Sequence, residues 1–367
     1  MTKTLTTRQA SIIIFVTMIS TKLLSMNSIF SHNMKHNAWF AVFALFLLDF
    51  LFALIFIYLT KKIDMPILEY IKQKFGYAFS FVLSLFVAIM FLFKTTQVMV
   101  DIYLFFVQLI YVDINRIVFV ICFATIVFYF GSRHLQSIGR ALELLVYLII
   151  FSLVVSLTLS VKSINLENLL PFLNLNFFTT SKTIFFNNLW FGDFWLIFFF
   201  VGNIKIEKNT TKSLILAYAT SCVTVLVFTI VFTSVFGLTA SMHRVCVIDI
   251  TQVLPRLLDH TRFNWLVDFT FPIALVMGLG VYSNCSGLCI RHCIKNDIKI
   301  KNEISGLIVT ASVLAICIVF RFVFTDFYRF VTNVFAYYNV FVQYVIPVIL
   351  LVLLQFQIQK NKRQVTV

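Results

Sequence analysis

The sequence predicts an all-α integral membrane protein, with residues 1–367 forming a single transmembrane domain. Its residues are 60% hydrophobic and 12% charged, and its mean hydropathy is +0.97. In soluble domains roughly a quarter of the residues are charged, because their surfaces face water. Apolar segments of about 20 residues, the length of a helix that crosses the hydrocarbon core, recur along the whole chain. Since hydrocarbon offers no hydrogen-bond partners, the backbone of these segments must form helices.

The apolar segments indicate about ten membrane spans. They cover residues 9–30, 38–60, 77–111, 116–131, 136–161, 183–203, 212–238, 263–289, 304–324 and 335–357. The fourth is short and the third is overlong, which leaves nine or eleven spans open. Ten spans divide into two inverted five-helix repeats, over approximately residues 9–161 and 183–357. In transporters built this way, helices 1 and 6 are broken at the substrate site.

The net charge of +14 follows from membrane topology and does not indicate a nucleic-acid partner. The basic residues lie mainly in short loops between spans and at the chain ends, and they form no separate domain. Cytoplasmic loops carry the excess of Lys and Arg in membrane proteins. The distribution therefore predicts that both termini are cytoplasmic, as an even number of spans requires, and that the surrounding partner is the lipid bilayer.

Three polar residues of the third span fall on one helix face. Lys94, Gln97 and Asp101 are spaced i, i+3 and i+7, so their side chains project from the same side over about two turns. An ionisable residue at the centre of a membrane helix costs at least about 2.5 kcal/mol unless it finds a partner or lines a cavity. This face is either an internal network that ties the third span to a neighbour or a polar wall of a binding cavity.

The first and sixth spans each carry an irregularity at similar depth. Gly192 and Asp193 lie near the middle of the sixth span, between Trp190 and Trp195. The pattern indicates a helix break whose free N–H and C=O groups hold a small polar ligand. The alternative is a tight helix crossing with a buried Asp satisfied by one basic neighbour. Lys22 lies among Ser and Thr residues of the first span, and we predict that it faces Asp193 across a central site.

Two further acidic residues lie within predicted spans. Glu143 follows Arg140 by three residues, close enough to pair on one helix face. Asp49 lies in the second span without a local partner, and no role is predicted for it. Under the transporter alternative, these carboxylates and Asp101 are candidates for a proton relay.

The sequence predicts neither an enzyme, nor a cofactor, nor a bound metal. The six histidines lie at span ends or in loops, and His32 and His36 lack the glutamate of a helical zinc-protease motif. Cys285, Cys289 and Cys293 recur at four-residue spacing, but no second pair of metal ligands accompanies them. With ten glycines in the chain, there is no glycine-rich loop that would cradle a phosphate.

Six short stretches, in order along nearly the whole chain, resemble one known family. They are residues 5–9 (LTTRQ), 66–71 (PILEYI), 74–76 (KFG), 141–145 (ALELL), 168–173 (NLLPFL) and 191–193 (FGD). The family is that of the spore germination permeases, the B subunits of germinant receptors within the amino acid/polyamine/organocation transporter superfamily.

This resemblance implies a ten-helix inverted-repeat fold in the inner membrane of a spore or in the cell membrane. It implies a membrane subunit that binds a small germinant, such as an amino acid, and triggers germination. The implied protein partners are the germinant receptor A and C subunits. An amino acid permease coupled to H⁺ or Na⁺ remains the alternative, because the same fold serves both functions.

The first span departs from the superfamily pattern, because it lacks a glycine-containing interruption and carries Lys22 instead. Lys22 is suited to a ligand carboxylate while Asp193 receives an ammonium group, so the pair favours a zwitterion. Asn284 in the eighth span, near Gly278 and Gly280, is a further candidate. The predicted ligand-binding residues are Lys22, Gly192, Asp193, Lys94, Gln97, Asp101 and Asn284.

Overall fold

The structure, a computed structural model, describes residues 5–110, 114–173, 175–252, 264–293, 302–320 and 324–365. Regular structure in these ranges is helical, with one isolated β-bridge between Leu5 and Ile204. The α-helices in chain order are α1 (Thr7–Lys22), α2 (Met26–Met34), α3 (Ala38–Thr60), α4 (Ile67–Phe75), α5 (Tyr77–Ile110), α6 (Arg116–Ser132), α7 (Leu135–Ser160), α8 (Phe177–Phe186), α9 (Phe194–Phe200), α10 (Thr210–Phe236), α11 (Cys246–Gln252), α12 (Asn264–Cys293), α13 (Asn302–Val319), α14 (Phe324–Val340) and α15 (Ile346–Val365).

The chain is a multi-pass membrane protein. Within the described ranges, seven helices are long and apolar enough to cross a membrane, or eight if α8 and α9 form one bent span. Each predicted apolar segment corresponds to at least one helix, although α1, with 16 residues, and α6, with 17, are short. The ten-span count and its division into inverted repeats stay predictions.

Both helices that the sequence suggested were interrupted are broken. α1 ends at Lys22 and α2 begins at Met26. α8 and the segment that contains α9 meet at an angle of 54°. α8 also begins at Phe177, six residues before the predicted start of the sixth span, because the Asn176 side chain accepts hydrogen bonds from the first free N–H groups of the helix.

The two broken helices lie at the centre of the bundle. α12 packs against α1, α5, α6 and α7, and α9 packs against α3. Every residue of α9 is buried. By contrast, α7 carries exposed apolar side chains such as Leu144, Tyr147 and Phe151. In a membrane protein an apolar outer surface of this kind faces lipid, so the buried polar groups at the centre are the exceptions that need explanation.

The chain that follows α9 is hydrogen-bonded to Leu5, two residues before the start of α1. The Leu5 N–H donates to the Asn203 carbonyl oxygen at 2.9 Å, and the Lys205 N–H donates to the Leu5 carbonyl oxygen at 2.8 Å. The turn that follows α9 and precedes these bonded residues contains Gly202, whose φ is +71°. These bonds connect the two interrupted helices at the end of the molecule that holds the N-terminus.

Glu143 on α7 also contacts α1. Its carboxylate lies 3.9 Å from Nε of Arg8 and accepts a hydrogen bond from Nε2 of Gln9 at 3.2 Å. The predicted pairing with Arg140 is therefore wrong, because packing of α7 on α1 offers nearer partners than the neighbouring turn of α7. Arg140 itself is exposed.

Candidate functional site

The two helix breaks meet through an ion pair at the centre of the bundle. Lys22 is the last residue of α1, and Asp193 directly precedes α9. Lys22 Nζ donates to Asp193 Oδ2, and both side chains are 0% exposed. The structure therefore brings together the two residues that the sequence suggested would face each other.

Asp193 is bound by two further residues. Lys94 Nζ on α5 donates to Asp193 Oδ1 at 3.0 Å, and the Tyr282 hydroxyl on α12 donates to the same oxygen at 2.7 Å. Hydrogen bonds to an ionised group are stronger than neutral ones. The carboxylate thus connects α1, α5, α9 and α12 at one point.

A second buried acid balances the two lysines. Asp49 on α3 accepts the backbone N–H of Gly192 at 2.7 Å through Oδ2, and it lies close enough to Lys22 and Lys94 to interact electrostatically. Two lysines and two aspartates have a formal net charge of zero. We call Lys22, Asp49, Lys94 and Asp193 the charge cluster. A neutral group of paired charges avoids much of the cost of burying isolated ions.

The break before α9 depends on Gly192. Its φ is +82°, a backbone conformation that glycine adopts readily. A Cβ at this position would lie 2.5 Å from Cδ of Gln343. Gln343 Nε2 donates to the Phe191 carbonyl oxygen at 2.8 Å, and Lys94 Nζ donates to the same oxygen at 2.5 Å. Side chains therefore satisfy both the N–H and the C=O groups that the break frees.

Asp49, Gln343 and Tyr282 belong to this site but were not predicted from the sequence as its members. Asp49 was visible as an unpaired acid in a span, which is itself a signal of function. Gln343 lies in a π-helical turn, Phe341–Val345, between α14 and α15. Such turns recur at functional sites but carry no clear sequence pattern. Tyr282 had no signal, because tyrosine is common in membrane helices.

Replacing Asp49 with Asn should lower the free energy of unfolding by about 1–3 kcal/mol, because the two lysines then outnumber the remaining buried carboxylate. Thermal unfolding of the purified protein in detergent measures this change. Tyr218→Phe is the matched control, since the Tyr218 hydroxyl lies 3.5 Å from the same Oδ2 and makes only a long contact. Equal stability of Asp49→Asn and Tyr218→Phe would contradict the charge balance described above.

The polar face predicted for the third span divides between two neighbours. Lys94 joins the charge cluster, whereas Asp101 accepts a hydrogen bond from the Tyr328 hydroxyl of α14 at 2.5 Å. Gln97 lies between them on α5 and is buried. The face thus points into the bundle and forms an internal network, while a direct ligand contact stays a prediction.

Asn284 lies in a different contact. Its Nδ2 donates to the carbonyl oxygens of Phe130 at 3.1 Å and Arg133 at 2.5 Å. These bonds satisfy carbonyl groups at the end of α6 and join that helix to α12. Ligand binding by Asn284 stays a prediction.

Two cavities are lined by different elements of the bundle, and no residue of the charge cluster lines either of them. The first, of about 670 Å³, is lined at one end of the bundle by residues from the α1–α2 break, α8 and α14, among them Ser25, Asn187 and Tyr328. The second, of about 720 Å³, lies beside α4 and the end of α12 and is lined by residues that include Glu69 and Arg291. Among the described residues, no group of three or more His, Cys, Asp or Glu side chains is arranged to hold a metal ion.

Comparisons with known proteins agree with this architecture. A family model described as spore germination protein matches residues 4–325. No curated protein matches the sequence. Two mutants of the manganese transporter of Eremococcus coleocola share the fold with TM-scores of 0.58 and 11% identity, covering 92% of this chain and 75% of theirs.

The same transporter in complex with an aromatic bis-isothiourea substituted compound matches with a TM-score of 0.54, 10% identity and the same coverage. At this identity the likeness concerns the fold alone. The family match covers most of the sequence, including both helix breaks and the charge cluster. The chain therefore belongs to the spore germination protein family, as a multi-pass membrane protein with a transporter-like fold.

Proposed function

We propose that this protein is the membrane subunit of a spore nutrient germinant receptor, which binds a small germinant and triggers germination. The observation that carries this proposal is the ion pair between Lys22 and Asp193, because it connects the two broken helices, and residues at both breaks, Ser25 and Asn187, line the first cavity. In transporter folds, such breaks form the substrate site. The proposed architecture is ten spans in two inverted repeats.

The charge cluster supports an amino acid as the germinant. A carboxylate that enters from the first cavity would take Lys22 from Asp193, and the released Asp193 would accept the ammonium group. The cluster stays neutral during this exchange, since a zwitterion adds no net charge. A ligand shifts a conformational equilibrium only by its different affinity for the two states. Here the difference in affinity arises because the bound ligand replaces the direct ion pair between Lys22 of α1 and Asp193 before α9.

The proposed ligand-binding residues are therefore Lys22, Lys94, Gly192 and Asp193, and Gln97 and Asp101 extend the same face of α5 toward the first cavity. By analogy with its family, we place the protein in the spore inner membrane with both termini in the cytoplasm, together with germinant receptor A and C subunits. The signal would pass to these subunits through movement of the helices joined at the cluster.

An amino acid permease coupled to H⁺ or Na⁺ is the second candidate. The presence of two cavities with no lining residue in common favours it, because alternating access requires a route to the site from each side. Uptake of a labelled amino acid into vesicles that contain this protein alone would support the permease. A response that needs the A and C subunits would support the receptor.

The decisive experiment is a germination assay in spores that lack the protein, complemented by wild type, Thr332→Trp or Thr220→Trp at matched membrane levels. Thr332 lines the first cavity, whereas Thr220 is exposed on α10. If the receptor proposal is correct, deletion abolishes the response to one nutrient, and Thr332→Trp raises the nutrient concentration for half-maximal germination about tenfold. Thr220→Trp should respond like wild type.

Unchanged germination of the deletion strain toward every nutrient tested would contradict the receptor proposal. An equal loss of response with Thr332→Trp and Thr220→Trp would instead contradict entry of the ligand through the first cavity.

A further inference from the structure

Asp101 is a buried carboxylate that lacks a basic partner. It is 0% exposed, and only its Oδ1 accepts a hydrogen bond, from the Tyr328 hydroxyl. Its Oδ2 has no hydrogen-bond partner. Among the described residues, no Lys, Arg or His lies within ion-pair distance of it. Lys94, two turns away on α5, is bound to Asp193.

Two other oxygen atoms lie beside this carboxylate. Ser25, between α1 and α2, is close to both Asp101 and Tyr328, and the residue is 5% exposed. Tyr328 is held in place by Trp190, whose ring lies parallel to it at 6.1 Å. Three side chains with polar oxygens, from α5, α14 and the α1–α2 break, thus lie close together.

Two of these three residues, Ser25 and Tyr328, line the first cavity. The basic residues that line the cavity, His32, Lys182 and Arg244, are exposed at its mouth and form no ion pair with Asp101. A buried carboxylate without a counter-ion is costly, so it must either hold a proton or bind a cation. Oxygen ligands and a single negative charge suit a monovalent cation.

We propose that Asp101, Ser25 and Tyr328 form a binding site for one monovalent cation, H⁺ or an alkali-metal ion, that enters through the first cavity. Because Ser25 lies in the α1–α2 break, occupancy of this site is coupled to the conformation of the broken helix. The site is separate from the charge cluster and does not depend on which small molecule the protein recognises.

The test is thermal unfolding of the purified full-length protein in detergent, in NaCl, KCl or choline chloride at constant ionic strength and at two pH values. A cation that binds the folded state raises the unfolding temperature as its concentration rises. If the site binds an alkali-metal ion, Na⁺ or K⁺ stabilises wild type relative to choline, and Asp101→Asn abolishes the difference.

If the site holds a proton, the salts are equivalent, but the stability of wild type relative to Asp101→Asn falls as pH rises. The sign follows because the folded state then binds a proton that the unfolded state releases. Asp64→Asn, at an exposed loop position, is the control and should behave like wild type in both arms.

Ser25→Ala provides a second variant should Asp101→Asn fail to fold, and it should weaken the cation or pH response at least threefold in apparent affinity. Fluorescence of Trp190, which stacks on Tyr328, gives an independent readout of the same transition. The proposal is overturned if wild type shows no dependence on cation or pH, or if the variants retain the wild-type dependence.

Discussion

Asp193→Asn is expected to lower the free energy of unfolding by about 3–5 kcal/mol, which is the usual cost of removing one partner from a buried ion pair. The substitution leaves Lys22 and Lys94 without the carboxylate that both of them bind. Neither lysine can reach water, because both are at most 1% exposed. Asp49 remains as the one carboxylate of the charge cluster, and its Oδ2 already accepts the Gly192 N–H.

Lys22→Met should cost less than Asp193→Asn, because Asp193 then keeps its bonds to Lys94 and Tyr282. The double variant Lys22→Met/Asp193→Asn should be more stable than Asp193→Asn alone, since it restores one positive and one negative charge. A double-mutant cycle on the purified proteins, followed by thermal or denaturant unfolding in detergent, measures this coupling. Additive effects of the two substitutions would contradict direct pairing of Lys22 with Asp193.

Gly202→Ala is expected to abolish folding or to destabilise the protein by several kcal/mol. A Cβ on Gly202 would lie 2.0 Å from the Met65 carbonyl carbon and 2.4 Å from the Pro66 nitrogen. These are backbone atoms, so no rotamer change relieves the overlap, and overpacking against fixed atoms is costly. The turn must open, which would break the hydrogen bonds between Leu5 and the chain after α9.

Gly76→Ala is the matched control for this substitution. Gly76 also has a positive φ, of +88°, but a Cβ there meets nothing within 4 Å. It should therefore cost only the strain of an extended backbone with positive φ, which is nearly exclusive to glycine, about 1–3 kcal/mol. Membrane-fraction yield and unfolding temperature distinguish the two variants. Similar losses for both would mean that backbone strain, and not contact with Met65 and Pro66, determines the effect.

The sequence predicted the broken helices and the meeting of Lys22 with Asp193. The breaks were predicted from Gly192 and from the polar residues of both spans. The meeting of Lys22 with Asp193 rests on one physical rule: a charge at membrane depth must have a partner, and these two residues lie at similar depth in the first and sixth spans. The same rule identified Asp49 as unusual but gave no partner for it. Its partner is the backbone N–H of Gly192, and a main-chain group leaves no residue type to recognise in a sequence.

The partner predicted for Glu143 was wrong because only the nearest basic residue on the same helix was taken into account. Arg140 is three positions away, yet the side chain lies against Arg8 and Gln9 of α1. Helix spacing identifies neighbours within a helix, whereas contacts between helices depend on how the helices rotate and pack. Asn284 and Tyr282 illustrate the same limit, because they are two residues apart on α12 and contact α6 and Asp193 respectively.

By itself, the sequence determined that the chain is a helical membrane protein, where its polar residues are concentrated and which spans are irregular, because burial in hydrocarbon restricts composition and length residue by residue. Only the tertiary structure decided that one carboxylate holds two lysines, that Asp49 balances them and that Asp101 lies apart beside Ser25 and Tyr328. Those arrangements join residues of different elements, up to 227 positions apart in the chain, and they exist only after the helices have packed.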